Sequence, residues 1–465
     1  MDTQFTKSFS IFCGTIVKLV TAVIFILALF LVFTAPGLSQ NQGVAGNNPP
    51  TVDSKTQAAI IDSISKALND VYVFEDVAKN MEKLVRKNYK KGDYKKLTNF
   101  YDFTNQLTRD LRSVSHDKHL GIRVLPPPDP ETKKRPSPEE ERKKRLQQLR
   151  NDNYGFKKIE LLPGNIGYLD FRYFADTGFG EAARTAIAAM NFLAYADAII
   201  FDMRQNGGGS PSMIQLISSY LFEESVHLNS FYIRETNETK QFWTQGHVEG
   251  CKVPDVPVYV LTSAYTFSGA EEFTYNLKNM KRGTIIGETT GGGAHPVRAR
   301  VFEDLNIIVR LPFGRAVNPI TKTNWEGTGI EPHIKVPADQ ALTVARMEAT
   351  KKLMASEQDE MKKRQLEWSL QGLEASKNPV TIDKNSLKAF VGVYGPRVIS
   401  VENGIMFYQR EDRPRYKLIP MGSDMFMLEN LDYFRIKFVR DDSGKVIELS
   451  GIYDNGNTDS NKRTK

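Results

Sequence analysis

The chain has 465 residues, enough for two to four domains, and its 40% hydrophobic and 25% charged residues are ordinary for a soluble globular protein. Its formal net charge is +7, and much of the excess base lies in runs that also contain Glu and Asp. No stacking-aromatic or recognition-helix motif accompanies these runs, so we expect no nucleic-acid partner.

Residues 1–37 have the pattern of a signal peptide or signal anchor. An apolar run at 19–35 follows Lys7 and Lys18 and precedes a polar stretch. The run is near the lower length limit for a spanning helix, so cleavage and retention both stay open. We expect an exported protein, periplasmic or extracellular, that is membrane-associated if this segment is retained. Cys13 precedes the run and Cys251 is the other cysteine, which excludes a paired-cysteine zinc site and, after processing, an intramolecular disulfide.

The next segments differ in periodicity. Residues 38–53 are a polar linker, and 54–124 are predicted to be a helical N-terminal domain, because apolar residues recur every three or four positions. Residues 125–155 begin with three prolines and continue as a highly charged run. We expect a linker there, containing either a charged helix or a disordered connector.

Residues 156–340 alternate between strand-like apolar runs and helical patterns, which predicts an α/β core with a largely parallel sheet. Two strand-like segments, 297–302 and 305–311, are expected to extend that sheet. Residues 341–379 are predicted to be a helical connector. The rest divides into a small all-β domain at 380–455, with hairpin turn signals at Asn403-Gly404 and Ser443-Gly444, and a disordered tail at 456–465.

Three features at the ends of predicted strands are candidates for chemistry, since open α/β sheets place their sites there. The turn RQNGGGS lacks the lysine of a phosphate loop, so it is either a tight turn or a cradle of backbone amides for an oxyanion. In TFSGAEEF, Ser268 and Glu271 match a capping box, and Ser268 is also placed as a nucleophile at a helix N-terminus. These two interpretations are compatible. The third feature is the pair of glycine-rich segments 288–296 and 324–332, each with titratable groups.

Together these segments resemble a known family. GNIGYLDFRYF, AIIFDMRQNGGGS, VYVLTSAYTFSGAEEFTYNLK, GTIIGETTGGGAHP and NWEGTGIEP occur in the order typical of tail-specific (C-terminal-processing) serine peptidases, and are most similar to the branch of interphotoreceptor retinoid-binding protein and tricorn core protease. The resemblance covers about residues 55–338. It implies a crotonase-like (ClpP/crotonase) α/β core, a protein or peptide substrate, and no metal or cofactor. The family's inserted PDZ domain is missing, because residues 125–153 are too few to form one.

The resemblance also implies roles for individual residues. Ser268 falls on the nucleophile, and Gly293 occupies the place of the lysine base that many members use. The tricorn-like branch instead takes its base from a D-x-H motif, which His119 matches, and uses a late glutamate, which Glu326 matches. Lys118 stands where that branch has a hydroxyl residue.

Imidazole suits the role of base, because its pKa lies near the working pH, and it needs a partner that fixes its tautomer. We therefore predict peptide hydrolysis through a Ser268 acyl-enzyme, with His119 as base and Glu326 as its orienting partner. Asp117 is an alternative orienting group, and His295 is the alternative base. Each of these residues also has a purely structural interpretation: His119 as a helix-end residue, Glu326 as a loop carboxylate and His295 as a turn residue.

The candidates for the oxyanion hole are Gly207 and Gly208, together with the Gly269 amide. A competing hypothesis is a non-catalytic protein of the same fold that binds hydrophobic ligands or peptides, as the retinoid-binding relatives suggest; the missing lysine favours it, and the retained catalytic candidates oppose it. A third is a scaffold that acts through its β-domain at the cell envelope.

Overall fold

The computed structural model describes residues 50–128, 135–383 and 386–464. The expected signal segment at 1–37 lies outside these residues, as does most of the linker at 38–53. Within the described ranges, no helix combines the length and the apolar character that crossing a bilayer requires.

The N-terminal region is helical, as its apolar spacing predicts. Asp53 caps the first helix by accepting a hydrogen bond from the Thr56 amide at 2.7 Å. The third helix ends at His116, which adopts a left-handed conformation, and the chain then turns through Asp117 and His119 into a short strand. The elements are α1 (Ser54–Val71), α2 (Glu75–Lys91), α3 (Phe100–Ser115) and β1 (Gly121–Val124).

The charged segment that follows is a helix rather than a disordered connector. This helix, α4 (Pro138–Asn151), begins at a capping box between Ser137 and Glu140. Its buried side chain, Leu149, packs into the main hydrophobic cluster of the core. The predicted linker is therefore partly a structured element attached to the core.

The core begins at residue 156 and has the predicted alternation of strands and helices. Its elements are β2 (Phe156–Leu162), β3 (Ile166–Phe171), α5 (Gly180–Phe192), β4 (Ala198–Asp202), α6 (Pro211–Ser219), β5 (His227–Ile233), β6 (Glu238–Trp243), β7 (Val258–Thr262), α7 (Gly269–Asn279), β8 (Gly283–Gly287), β9 (Val297–Phe302), β10 (Ile307–Pro312), β11 (Gly314–Val317) and β12 (Ile334–Lys335). Six strands form one sheet in the order β12-β8-β7-β4-β3-β2. Neighbouring strands in it are parallel, except for the antiparallel pair β2 and β3.

Helices cover both faces of this sheet. Phe201 and Val260 pack on α5, α6 and α7 in one hydrophobic cluster. Ile200 and Leu261 pack on the other face, against α8 (Ala341–Ser356). Since successive strand residues point to opposite faces, the continuous apolar runs of β4 and β7 are explained by burial on both sides.

The structure corrects the expectation that segments 297–302 and 305–311 extend the parallel sheet. These segments are β9 and β10, and they form a separate antiparallel sheet of order β1-β10-β9. The apolar side chains of β10 pack into the cluster of the N-terminal helices, so part of the later chain returns to complete the first region. A further antiparallel sheet, β11-β5-β6, was not predicted.

The C-terminal part is the predicted helical connector and β-rich region. After α8 and α9 (Glu360–Lys377) comes an eight-stranded antiparallel sheet, whose strands follow one another in chain order. Its strands are β13 (Gly392–Tyr394), β14 (Arg397–Glu402), β15 (Ile405–Arg410), β16 (Tyr416–Pro420), β17 (Met425–Leu428), β18 (Leu431–Arg440), β19 (Val446–Tyr453) and β20 (Thr458–Lys462). The α/β core, the helical N-terminal region and the all-β C-terminal region together confirm the predicted fold class.

The expectation of a disordered tail at 456–465 is wrong for β20. This strand pairs antiparallel with β19, and the Asp459 carboxylate accepts hydrogen bonds from the buried Arg397 guanidinium at 2.5 and 2.7 Å. Backbone pairing at a sheet edge and one ion pair to a buried cation hold a segment whose side chains are polar. Hydrophobic pattern alone does not reveal such a strand.

Candidate active site

The carboxyl ends of the parallel strands β4, β7 and β8 meet at one edge of the core sheet, and Ser268 and two glycine-rich turns lie on the loops that follow them. Ser268 immediately precedes α7, with φ 56° and ψ −121°. A positive φ is unusual for a serine and marks a tight, sterically unfavourable turn. Strained turns of this kind expose nucleophiles between a strand and a helix.

Glu271 fixes this turn. Its buried carboxylate accepts a hydrogen bond from the Ser268 amide at 2.8 Å, as expected for a helix cap. It also accepts the amides of Gly292 and Gly293, at 2.7 and 2.9 Å, and the Thr290 hydroxyl at 2.5 Å. Burial raises the pKa of Glu271 to about 7. This carboxylate therefore ties the nucleophile turn to the glycine-rich loop after β8.

The glycine turn after β4 lies directly against Ser268. A Cβ atom on Gly208 would stand 2.8 Å from the Ser268 Cβ and 2.6 Å from the Gly269 nitrogen, so this approach requires glycine. The predicted oxyanion-hole donors are only partly free, however. The Gly207 amide donates to the Arg172 carbonyl at 3.2 Å, and the Gly208 amide donates to Asn206 Oδ1 at 2.9 Å.

Two amides in this place remain available. Neither the Gly209 nor the Gly269 N–H donates to an acceptor in the described part of the chain. They are also close together, since a Cβ on Gly269 would lie 2.8 Å from the Gly209 nitrogen. The geometry therefore favours Gly209 with Gly269 as the oxyanion donors, in place of Gly207 and Gly208.

His119 lies beside the residue that precedes the nucleophile. Its ring centroid is 4.7 Å from that of Phe267, and only 1% of its surface is exposed. Neither ring nitrogen has a hydrogen-bond partner among the described residues. Burial lowers its pKa to about 3, so the imidazole is neutral near pH 7, and protonating it in the resting site is unfavourable.

The position of His119 is linked to Gly293, the residue in the place of the family's lysine. A Cβ on Gly293 would lie 2.7 Å from His119 Cε1 and would also overlap the Phe267 ring. The imidazole therefore occupies space next to residue 293 that a side chain there would need. Lys118 secures the same turn, because its ammonium group donates to the Gly291 carbonyl at 2.5 Å.

Asp117 contacts both regions. Its Oδ1 accepts the His119 backbone amide at 2.9 Å, and its Oδ2 lies 2.7 Å from His295 Nδ1 and 3.3 Å from the Tyr72 hydroxyl. Burial alone would raise the pKa of this carboxyl, but the hydrogen bond and charge of His295 lower it. Burial likewise opposes protonation of His295, and the same contact with Asp117 raises its pKa. The two side chains form a buried hydrogen-bonded pair, which is an ion pair when His295 is protonated.

Glu326 lies against His295 rather than against the His119 ring. Its Oε2 accepts the backbone amides of Ala294 and His295, at 2.5 and 3.1 Å, and is 3.6 Å from His295 Nδ1. Burial, and then the negative charge of Asp117, raise the pKa of Glu326. The expected Glu326–His119 hydrogen bond is not seen in this structure. Asp117, His295 and Glu326 bring three potential metal-ligand atoms within 4.8 Å, although His295 Nδ1 is occupied by its contact with Asp117.

Sequence reasoning missed three parts of this arrangement. Glu271 was assigned only a helix cap, although TTGGG supplies the polar partners of its carboxylate. Gly209 was passed over for its two neighbours, because the sequence of a glycine triplet does not show which amides are free. The pairing of Asp117 with His295 spans 178 positions, and no local pattern announces it.

Two family models match adjoining segments of the chain. A model of peptidase family S41 matches residues 165–336, and a model of the family's N-terminal domain in eukaryotic IRBP matches residues 53–158. The tricorn protease of Thermoplasma volcanium is 28% identical over 137 residues, which are 30% of this chain and only 12% of that protein's length.

Two solved structures match part of the chain at low identity. The photosystem II D1 C-terminal processing protease has 14% identity and a TM-score of 0.39, covering 61% of this chain and 94% of that one. A lipoprotein from Streptococcus agalactiae has 15% identity and a TM-score of 0.42, covering 66% and 99%. The two family models match adjoining segments that together exceed half of the chain, and they confirm the predicted resemblance: the chain belongs to peptidase family S41, a family of serine peptidases.

Proposed function

We propose that this chain is an exported serine peptidase that cleaves protein or peptide substrates through a Ser268 acyl-enzyme, with His119 as the general base. The proposal rests on one observation, the position of the His119 ring directly beside Gly293. Any side chain at position 293 would collide with the His119 ring, so the imidazole stands next to the place from which the family's lysine would extend. The histidine therefore lies beside position 293, although it comes from another region of the chain.

The Ser268 hydroxyl attacks the scissile carbonyl carbon while His119 accepts its proton, and the carbonyl oxygen becomes an oxyanion. The amides of Gly209 and Gly269 stabilise that charge. His119 then protonates the leaving amine, and the acyl-enzyme forms. A water molecule attacks the ester with His119 again as base, which releases the acid and restores the Ser268 hydroxyl.

Burial of the base has a consequence for the barrier. An imidazolium at His119 is unfavourable in the resting site, because burial lowers the pKa of this residue to about 3. The Asp117 carboxylate opposes that effect, since its negative charge raises the same pKa. The oxyanion adds a second negative charge only when the tetrahedral intermediate forms. The charge of the oxyanion therefore offsets part of the cost of protonating His119, so the imidazolium is less unfavourable in the tetrahedral intermediate than in the resting site.

A fluorophosphonate probe tests the proposal, because it reacts with activated serines. We expect the wild-type protein to be labelled and to cleave a quenched peptide library, and Ser268→Ala to do neither while keeping its circular dichroism spectrum. If the folded wild type shows no Ser268-dependent labelling and no cleavage, the peptidase proposal is rejected. Saturable binding of a fluorescent apolar ligand by that protein would then support the alternative, a non-catalytic binder of hydrophobic ligands or peptides.

Export is part of the proposal and is supported by the apolar run at 19–35 behind Lys7 and Lys18. Fractionation of cells that express the full chain should place it in the envelope or outside the cell. Mass spectrometry of the N-terminus then separates cleavage from retention as an anchor. Recovery of the intact chain in the cytosol alone would contradict export.

A further inference from the structure

Asp117 stands where the N-terminal region and the core meet. The carboxylate belongs to the turn between α3 and β1, and only 1% of the residue is exposed. One partner, Tyr72, follows α1, whereas the other, His295, lies on the loop after β8. A buried carboxylate is destabilising unless it is paired and hydrogen-bonded, so these contacts are required if Asp117 is to be ionised there.

The two oxygens of Asp117 have different tasks. Oδ1 accepts the backbone amide of His119 and so fixes the turn that carries the base. Oδ2 receives His295 Nδ1 at 2.7 Å and the Tyr72 hydroxyl at 3.3 Å. Glu326 holds the other side of this contact, because its carboxylate accepts the His295 amide at 3.1 Å. A continuous chain of hydrogen bonds therefore runs from the loop after β8 to the backbone of His119.

We infer that Asp117 and His295 are positioning residues, which hold the turn carrying His119 against the core so that the base meets a nucleophile from another region. This inference rests on the proposed function, since it assigns the base to His119. The family resemblance implies that the matching glutamate orients the base directly. Here Glu326 instead fixes His295, which in turn contacts Asp117.

A rival role for His295 must be separated from this one. A histidine whose Nδ1 contacts a carboxylate presents Nε2 in the tautomer that a general base needs. An asparagine side chain distinguishes the two roles, because its amide N–H can replace the Nδ1 donor but supplies no basic nitrogen. His295→Asn therefore keeps a positioning contact and removes a base.

The experiment compares His295→Asn, His295→Ala and Asp117→Asn with the wild type, using peptide cleavage and the rate of fluorophosphonate labelling. Misplacement of a catalytic group by about 1 Å costs on the order of 100-fold in rate. We expect His295→Ala and Asp117→Asn each to lower kcat about 10- to 100-fold with KM within about threefold. We expect His295→Asn to recover most of that loss, to within about fivefold of wild type. The Asp117→Asn/His295→Ala double variant should lose little more than either single variant, because both break one contact.

Three results would overturn the inference. If His295→Asn is as inactive as His295→Ala while His119→Gln remains active, His295 is the base. If the double variant loses the product of the two single losses, the residues act independently. If His295→Ala keeps the wild-type kcat, the contact has no role in positioning. Should His295→Ala fail to fold, His295→Asn still decides, because inactivity of a folded His295→Asn protein contradicts positioning. Failure of the proposed function looks different, since the wild type itself would then lack Ser268-dependent labelling.

Discussion

Substitution of Gly293 by alanine is the most direct test of how the base is accommodated. Gly293 does not have a positive φ, so alanine is compatible with its backbone conformation and the effect is steric. The new Cβ would lie 2.7 Å from His119 Cε1, whereas carbon atoms in contact are about 3.5–4.0 Å apart. The ring must therefore move by about 1 Å, and the Phe267 ring, which the Cβ would also overlap, must move as well.

The expected loss follows from that displacement. A shift of about 1 Å in a catalytic group lowers the rate on the order of 100-fold, which corresponds to about 2.7 kcal/mol of barrier. Overpacking of a buried site also lowers the free energy of unfolding, by about 1–3 kcal/mol. We expect Gly293→Ala to lose activity in a quenched-peptide assay while it remains folded at 25 °C in circular dichroism and urea unfolding.

Gly246→Ala is the matched control. A Cβ on Gly246 has no atom within 4 Å, and its φ is likewise not positive, so this variant should keep wild-type activity and stability. If Gly293→Ala is fully active with an unchanged urea midpoint, the His119 ring does not occupy the space assigned to it. His119 would then not take the place of the lysine.

Three further predictions follow from single side chains. His119→Gln should lower kcat by at least about 100-fold with an unchanged melting temperature, and full activity would refute its role as base. Asp459→Ala should lower the stability of the C-terminal region by about 2 kcal/mol in urea unfolding, since it leaves the buried Arg397 guanidinium unpaired, whereas an unchanged midpoint would contradict this. Burial raises the pKa of Glu272 from 4.5 to about 7, so its contribution to stability is complete below about pH 4.5 and is lost as the pH rises through 7. The free energy of unfolding of the wild type should therefore fall between pH 5 and 8, and Glu272→Gln should reduce that fall by about 2–3 kcal/mol. An identical pH dependence of the two proteins would refute the assignment.

The sequence predicts those parts of the fold that depend on local periodicity. The apolar runs of β4 and β7 and the helical spacing of α1 to α3 identify elements whose burial is visible in the order of their residues. The same pattern does not say which sheet a strand joins, so β9 and β10 were assigned to the core sheet although they pair with β1. For β20 the pattern fails altogether, because backbone pairing and the Arg397–Asp459 contact replace apolar burial.

The candidate site also has parts that the sequence predicts and parts that it does not. Ser268 and His119 are predicted by motif, and the structure places the His119 ring against Gly293 and against Phe267, the residue before Ser268, with no hydrogen bond between the two candidates. Their supporting contacts depend on distances between remote segments. Glu326 is the clearest case, since the motif predicts a contact with His119 and the fold places its carboxylate on the His295 amide.

With His119 as the proposed base in place of a lysine on the core, catalysis would depend on how the N-terminal region is held against the core. A lysine at position 293 would share the loop that Glu271 already ties to Ser268, so nucleophile and base would move together. A base on the turn after α3 is held instead by packing between regions, in which the apolar side chains of β10 lie among the N-terminal helices. It is also held by a few polar contacts, those of Asp117 and Lys118 with the loop after β8. Because hydrophobic packing is non-directional, it cannot by itself set an imidazole to within about 0.5 Å. The directional contacts must do so, and this is the role that we propose for the buried Asp117–His295 pair, since buried polar pairs often add little stability of their own.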